Sequence, residues 1–223
     1  MAELLSSLQK ITLAEFARSP LKKFYWTGGT ALAAVYLQHR YSQDLDFFTQ
    51  DLFTHQEVFM FVHNLKKAAK LSRIEEKHIY DRWEFFVHNE NSVRLEFVRY
   101  AFQHLKKPKS WQGITVDSLD DIAANKTMAL LERNEPKDVF DLYFLLKKGG
   151  YGVSKLLRMV ERKFGVRYDA GLFWSEAHKS LKDLRALTPM VAAKTTSQKK
   201  KLLRKIENFV GDHSSRYLRA RFR

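Results

Sequence analysis

At Pro108 this 223-residue chain changes its hydrophobic rhythm, and that change constrains the fold more than any other feature. Before it, short apolar and aromatic runs bounded by Gly, Asn and Asp read as strands: residues 24–26, 41–48, 81–88 and 92–100. Along 92–100, Val93, Leu95 and Phe97 fall on one face and Arg94, Glu96 and Val98 on the other. Asn89-Glu90-Asn91 between the last two runs suits a hairpin. Helices are expected at 2–18, with Leu5, Leu8, Leu13 and Phe16 buried, and at 30–39. A further helix is expected after Thr54. There the Thr hydroxyl and the Glu57 carboxylate can cap free amides, and Val58, Phe61, Val62 and Leu65 follow at helical spacing. After Pro108 the pattern turns helical: from Asp117 or Ser118 to about 133, from Pro136 to Gly149-Gly150, then 154–164, 172–184 and 197–210. The expectation is an α+β N-terminal half, residues 1–107, and a helical C-terminal half, residues 108–223.

Composition excludes several classes of chemistry. With no Cys, there is no disulfide, thiolate metal site or Cys nucleophile, which fits a reducing cytoplasm. The eight His residues show no zinc-type spacing. Seventeen Phe, nine Tyr and four Trp supply ample core, which argues against disorder. No run approaches the roughly 18 apolar residues of a membrane span, and residues 1–20 lack a signal-peptide pattern. The net charge is +14, and residues 179–223 carry thirteen basic and three acidic residues, a local +10. Such a surface attracts polyanions, with nucleic acid first, an acidic protein or a membrane face next, and a plain solvated helix as the alternative. Tyr217 and Phe222, interleaved with Arg216, Arg219, Arg221 and Arg223, offer rings on which bases could stack.

The chemistry-bearing residues cluster in the first half. On a strand, Asp44 and Asp46 share a face while Leu45 and Phe47 point into the core. Two adjacent carboxylates repel unless a cation lies between them, and Mg²⁺ suits one or two carboxylates plus substrate phosphates. Gly28-Gly29 stands between a strand and a helix, where backbone can approach a ligand closely and free amides attract phosphate. The order strand, Gly-Gly, helix, acidic strand can therefore set a triphosphate beside metal-binding carboxylates. Glu96 is a third acid in mid-strand. It reads either as a cross-strand partner of a base such as Arg82 or as a base or ligand in phosphoryl transfer.

The segment Thr27-Gly28-Gly29-Thr30-Ala31-Leu32-Ala33, followed by His39-Arg40-x-Ser42-x-Asp44-Leu45-Asp46-Phe47-Phe48, resembles the AbiEii/AbiGii toxin family of nucleotidyltransferases. These are toxins of type IV toxin–antitoxin (abortive infection) systems, within the DNA polymerase β-like superfamily. The likeness continues through Asp121-Ile122-Ala123-Ala124-Asn125-Lys126 and Asp138-Val139-Phe140-Asp141-Leu142, covering roughly residues 20–148. It implies a nucleotidyltransferase-like mixed sheet with flanking helices, followed by a helical bundle. It further implies a Mg²⁺-dependent enzyme, with Mn²⁺ as an alternative, that moves NMP from an NTP to an acceptor. An RNA, tRNA above all, is the expected acceptor, reached through the basic C-terminal region, and a cognate antitoxin is the expected partner. Gly28, Gly29 and Thr30 would hold nucleotide phosphates, with Arg40 and Ser42 supporting them. Asp44 and Asp46 would bind metal, Lys126 would contact phosphate, and Asp138 would position that group or the base.

Two departures stand out. The family's usual Arg-x-Lys-x-Arg-Asp turn is here Arg133-Asn134-Glu135-Pro136-Lys137-Asp138, with a reversed charge at Glu135 and a Lys in place of a forked Arg. Glu96 is one methylene longer than the superfamily's common Asp. Asp141 shares a helix face with Asp138 and reads equally as a buried structural acid. Without the resemblance, Lys126 reads as a snorkelling side chain among Ile122, Met128, Ala129 and Leu130. The competing functions are a non-catalytic NTP- or RNA-binding module of the same fold, a protein-nucleotidylating enzyme, and a metal-dependent nuclease.

Overall fold

The structure, a computed structural model, describes residues 4–221. It divides into two compact units, Met1–Leu119 and Asp120–Arg223. Phe222 and Arg223 lie outside the described residues.

The first unit is built on a seven-stranded mixed sheet. Its strands are β1 (Tyr25–Thr27), β2 (Asp44–Thr49), β3 (Arg73–Ile79), β4 (Arg82–His88), β5 (Ser92–Arg99), β6 (Lys109–Trp111) and β7 (Ile114–Val116). They lie in the order β3-β4-β5-β2-β1-β7-β6. β2 runs parallel to β5 and β1 parallel to β7, and the other pairs are antiparallel. One sheet face is apolar because alternate residues of each strand supply it: Leu45 and Phe47 from β2, Phe85 and Val87 from β4, Leu95 and Phe97 from β5. Helices α1 (Ser7–Arg18) and α3 (His55–Ala68) cover that face. Phe16 of α1 stacks on Phe47 with ring centroids 4.0 Å apart, and Phe61 of α3 meets Phe97 edge-on at 5.9 Å. Both helices begin at capping boxes, Ser6 with Gln9 and Thr54 with Glu57. The opposite sheet face carries Asp44, Asp46, Arg94, Glu96, Arg82 and Glu84. The period-2 pattern thus separates core from chemistry.

Two features depart from the sequence expectation. Residues 109–116 form the hairpin β6–β7, turned by Gln112 and Gly113 at φ 49° and 79°, and β7 pairs with β1. Three-residue strands are too short to show alternation, so the two-residue turn is their strongest local signal. β3 is also unanticipated. Its Arg-Ile-Glu-Glu-Lys-His-Ile run is mostly exposed and lies at the sheet edge, where charge discourages pairing with other chains.

The second unit is helical: α4 (Leu119–Arg133, its first residue belonging to the sheet unit), α5 (Pro136–Lys147), α6 (Val153–Phe164), α7 (Ala170–Lys179), a 3₁₀ segment Leu184–Met190, and α8 (Thr196–Arg221). Pro136 opens α5 at a position where its missing N–H costs nothing, and Gly165 ends α6 at φ 71°. On α8, Leu203, Ile206 and Val210 are buried while Lys200, Lys201, Arg204 and Lys205 face solvent. None of the described helices is long and apolar enough to cross a membrane.

Candidate functional site

The turn after β1 positions the first group of candidates. Gly28 has φ +76°, a conformation natural to glycine, and it opens the short helix α2 (Gly28–Ala31), which continues as a π-helical turn through Leu37. The Asp46 carboxylate sits against this glycine: a Cβ at Gly28 would lie 1.8 Å from Asp46 Oδ2 and 2.7 Å from its Cγ. Gly29 is equally confined. A Cβ there would lie 2.4 Å from an Arg40 guanidinium nitrogen and 3.3 Å from Ser42 Oγ. Arg40 is 2% exposed, and it donates to the Tyr41 carbonyl at 3.1 Å. The Thr30 hydroxyl donates to the Asp44 carbonyl. Gln9 of α1 donates to the Ser42 carbonyl at 2.8 Å, which ties the loop before β2 to the first helix. The structure therefore brings Gly28, Gly29, Thr30, Arg40, Ser42, Asp44 and Asp46 together around one turn.

Expected effects follow for Gly28→Ala. The methyl group demands displacement of Asp46 and adds left-handed strain, which costs on the order of 1–3 kcal/mol. The free energy of unfolding should fall by that amount, and the thermal midpoint with it. Any activity that uses Asp46 should fall at least tenfold, roughly the cost of misplacing a reacting group. Thermal unfolding and initial rates of that activity read the two effects separately.

Asp44 and Asp46 occupy the same face of β2, both partly exposed, with Leu45 and Phe47 buried between and beyond them. In the parallel pair with β5, Asp44 stands opposite Arg94 and Asp46 opposite Glu96. In the antiparallel pair beyond, Glu96 stands opposite Glu84. Three acids thus form a row across three strands, and two arginines are threaded among them. Arg82 meets Glu96 at 2.9 Å and Glu84 at 3.4 Å. Arg94 meets Asp44 Oδ2 at 3.1 Å, Glu96 at 3.4 Å and Glu84 at 3.5 Å. Burial works against the charge on Arg94, but Asp44, Glu96 and Asp46 outweigh it and push the guanidinium pKa up. Glu96, 7% exposed, is both an in-register neighbour of Asp46 and the partner of Arg82 that its local pattern suggested. Glu84 and the bridging position of Arg94 escape a reading of the sequence alone. Alternation along β4 puts Arg82 and Glu84 on one face, but only the strand order shows that this face meets Asp44 and Asp46.

The second unit holds its own cluster of ionic groups. Lys126 of α4 is 7% exposed, and its ammonium lies 3.0 Å from Asp138 and 2.9 Å from Asp141 of α5. Arg133 reaches the same Asp138 with two nitrogens, at 2.8 and 3.2 Å. Lys126 therefore does not snorkel: two fully buried carboxylates hold it. The altered turn accounts for its own charges, since Glu135 meets Lys137 at 2.9 Å and Arg133 at 3.6 Å. Burial raises the Asp138 pKa, yet the charge of Lys126 and the hydrogen bond from Arg133 prevail and hold it below its ordinary 3.8. A lowered folded-state pKa contributes stability above the unfolded value that is lost as pH falls through the folded one. Unfolding midpoints of the wild type should therefore drop more steeply below about pH 4 than those of Asp138→Asn, as an acid series by circular dichroism would read.

The sequence matches the family model described as nucleotidyl transferase AbiEii toxin, type IV TA system, over residues 12–220. Protein aq_aa25 of Aquifex aeolicus (strain VF5) is 32% identical over 143 residues, which are 63% of this chain and 66% of that protein. The chain thus spans just under two thirds of that relative's length. Two Helicobacter pylori crystal structures share the fold. JHP933 gives a TM-score of 0.61 at 17% identity, covering 96% of this chain and 93% of its own. A chain described as a candidate nucleotidyltransferase gives 0.60 at 18% identity, covering 96% and 99%.

Proposed function

We propose a reaction from one premise: the chain belongs to the nucleotidyl transferase AbiEii toxin family of type IV toxin–antitoxin systems. The reaction is transfer of a nucleoside monophosphate from an NTP to an acceptor hydroxyl. The hydroxyl oxygen bonds to the α-phosphorus, the bond from that phosphorus to the bridging oxygen breaks, and pyrophosphate leaves. The observation that carries this reading is the seat of Asp46 against Gly28, with Asp44 one pleat away on the same strand face. It is what a triphosphate site requires: backbone that admits close approach beside hard carboxylate oxygens.

A divalent ion is the group the family implies. Asp44 and Asp46 are an oxygen-only donor pair that fits Mg²⁺, or Mn²⁺ in its place, and the missing Cβ at Gly28 is what lets the Asp46 carboxylate sit against the turn. Bound there, such an ion would neutralise phosphate charge and polarise the reacting phosphoryl group. The chain's own residues do the rest. Gly28, Gly29 and Thr30 offer backbone to the phosphates, with Arg40 and Ser42 buttressing Gly29. Glu96 takes the proton of the attacking hydroxyl. In the helical unit, Lys126 is assigned to phosphate contact and Asp138 to holding that ammonium in place, consistent with their 3.0 Å pairing.

The acceptor we favour is RNA, with a tRNA end foremost. The solvent-facing Lys200, Lys201, Arg204 and Lys205 of α8 support a polyanionic partner. A separate antitoxin is the partner implied by the family. The test is incubation with each NTP in turn, labelled on the α-phosphate, with Mg²⁺ and total RNA. Label in lengthened RNA supports the proposal. Label in protein assigns a protein hydroxyl as acceptor. Bound nucleotide with no transfer indicates a binding module, and shortened RNA a nuclease.

A further inference from the structure

We propose that Arg94 is a stand-in cation for the acidic face: it holds Asp44 while no metal is bound and must release it when one enters, so that Arg94 sets the affinity for metal. The inference rests on the reading of Asp44 and Asp46 as metal ligands.

Two observations carry it. First, the guanidinium of Arg94 is placed where a shared cation would sit, within 3.5 Å of carboxylates from three strands: Asp44 of β2, Glu96 of β5 and Glu84 of β4. Its shortest contact, 3.1 Å, is to Oδ2 of Asp44, one of the two acids assigned to metal. Second, the two arginines divide the work. Arg82 is anchored on Glu96 at 2.9 Å and on Glu84 at 3.4 Å, so those acids keep a partner when Arg94 leaves.

The competition follows from charge. A guanidinium and a divalent ion on the same carboxylate repel each other, and a carboxylate oxygen that accepts from the guanidinium is less available to the metal. Arg94 is not deeply sealed. Its side chain is 29% exposed and that of Asp44 is 35% exposed, so the guanidinium has solvent to move into. Without a cation of some kind, adjacent carboxylates destabilise the folded state. Arg94 thus preserves the site when it is empty and raises the concentration of metal needed to fill it.

The experiment is calorimetric titration of Mg²⁺, and separately Mn²⁺, into the full chain, Arg94→Gln, Arg94→Lys and the Asp44→Asn/Asp46→Asn double variant. Partners that touch a metal's ligands typically change its affinity about 10- to 100-fold. Arg94→Gln should bind about tenfold more tightly than wild type, with a larger metal-induced rise in unfolding midpoint. Arg94→Lys, which keeps the charge and loses the fork, should fall between them. Metal uptake by Arg94→Gln that is equal to or weaker than wild type overturns the inference and leaves the metal reading standing. No uptake by wild type or Arg94→Gln, with heats matching the double Asp variant, overturns both. If Arg94→Gln does not fold, the wild type still decides. Saturating Mg²⁺ should speed solvent exchange of the Arg94 Nη–H resonances, whose Nη2 holds Asp44, and unchanged exchange overturns the inference.

Discussion

Replacing Asp44 with Asn should reduce nucleotide transfer by about 10²- to 10³-fold, the range found when one preorganised charged or polar group is removed from a reacting centre. The Asn side chain has the same shape, so the backbone of β2 and its parallel register with β5 should persist. What is lost is one of two adjacent negative charges and the grip of Arg94 at 3.1 Å. Because Asp44 is partly exposed, the cost in stability should stay within about 1 kcal/mol, as for other solvent-accessible ion pairs. Asp46→Asn should be at least as damaging to activity. Its carboxylate is packed against the Cα of Gly28, and the amide that replaces one oxygen presents hydrogens to the same space. The double variant should be little worse than the worse single one, since groups that act as a unit give non-additive losses. Initial rates with saturating NTP, checked against unfolding midpoints, separate a chemical defect from a folding one. A double variant with wild-type rates would remove these acids from the mechanism.

Lys126→Met should produce the largest loss of stability. The variant keeps the length of the side chain but leaves the carboxylates of Asp138 and Asp141 without the ammonium that lies 3.0 and 2.9 Å from them. Both acids are fully buried. Removing one member of a buried ion cluster typically costs about 3–5 kcal/mol, because the residual charge is desolvated and unpaired. Arg133 offers Asp138 partial relief through its two-nitrogen contact. The triple variant Lys126→Met/Asp138→Asn/Asp141→Asn should recover part of the loss, since it removes the buried charges together. Denaturant unfolding of the full chain measures both, and a single variant as stable as wild type would show that the cluster does not hold α4 against α5.

Elements with strong local signals were legible in the sequence. The Thr54–Glu57 capping box, the alternation of Leu45 and Phe47 with Asp44 and Asp46, the hairpin at Asn89–Asn91 and the proline opening of α5 each rest on residues close together in the chain. The hairpin β6–β7 and the edge strand β3 were not, because three-residue strands show no period and a charged edge lacks an apolar face. At the candidate site, the Gly-Gly turn and the acid pair could be named from their order. Their closeness, with Asp46 oxygen seated at Gly28 and Arg40 at Gly29, is a property of the packed turn. Glu84 and the bridging role of Arg94 depend on strand order and register across β4, β5 and β2, which are long-range facts. Asp141 was seen to share a face with Asp138, but its equal claim on Lys126 needed the packing of α4 against α5.

The most direct measurement follows the two ends of the triphosphate separately. With Mg²⁺, acceptor and NTP labelled either on the α-phosphate or on the β,γ-phosphates, α-label should enter the acceptor while the other label leaves as pyrophosphate, one for one. Chelation of the metal should stop both. Release of orthophosphate without α-label transfer, or transfer undiminished in the chelated protein, would contradict metal-dependent nucleotidyl transfer at the Gly28–Asp46 seat.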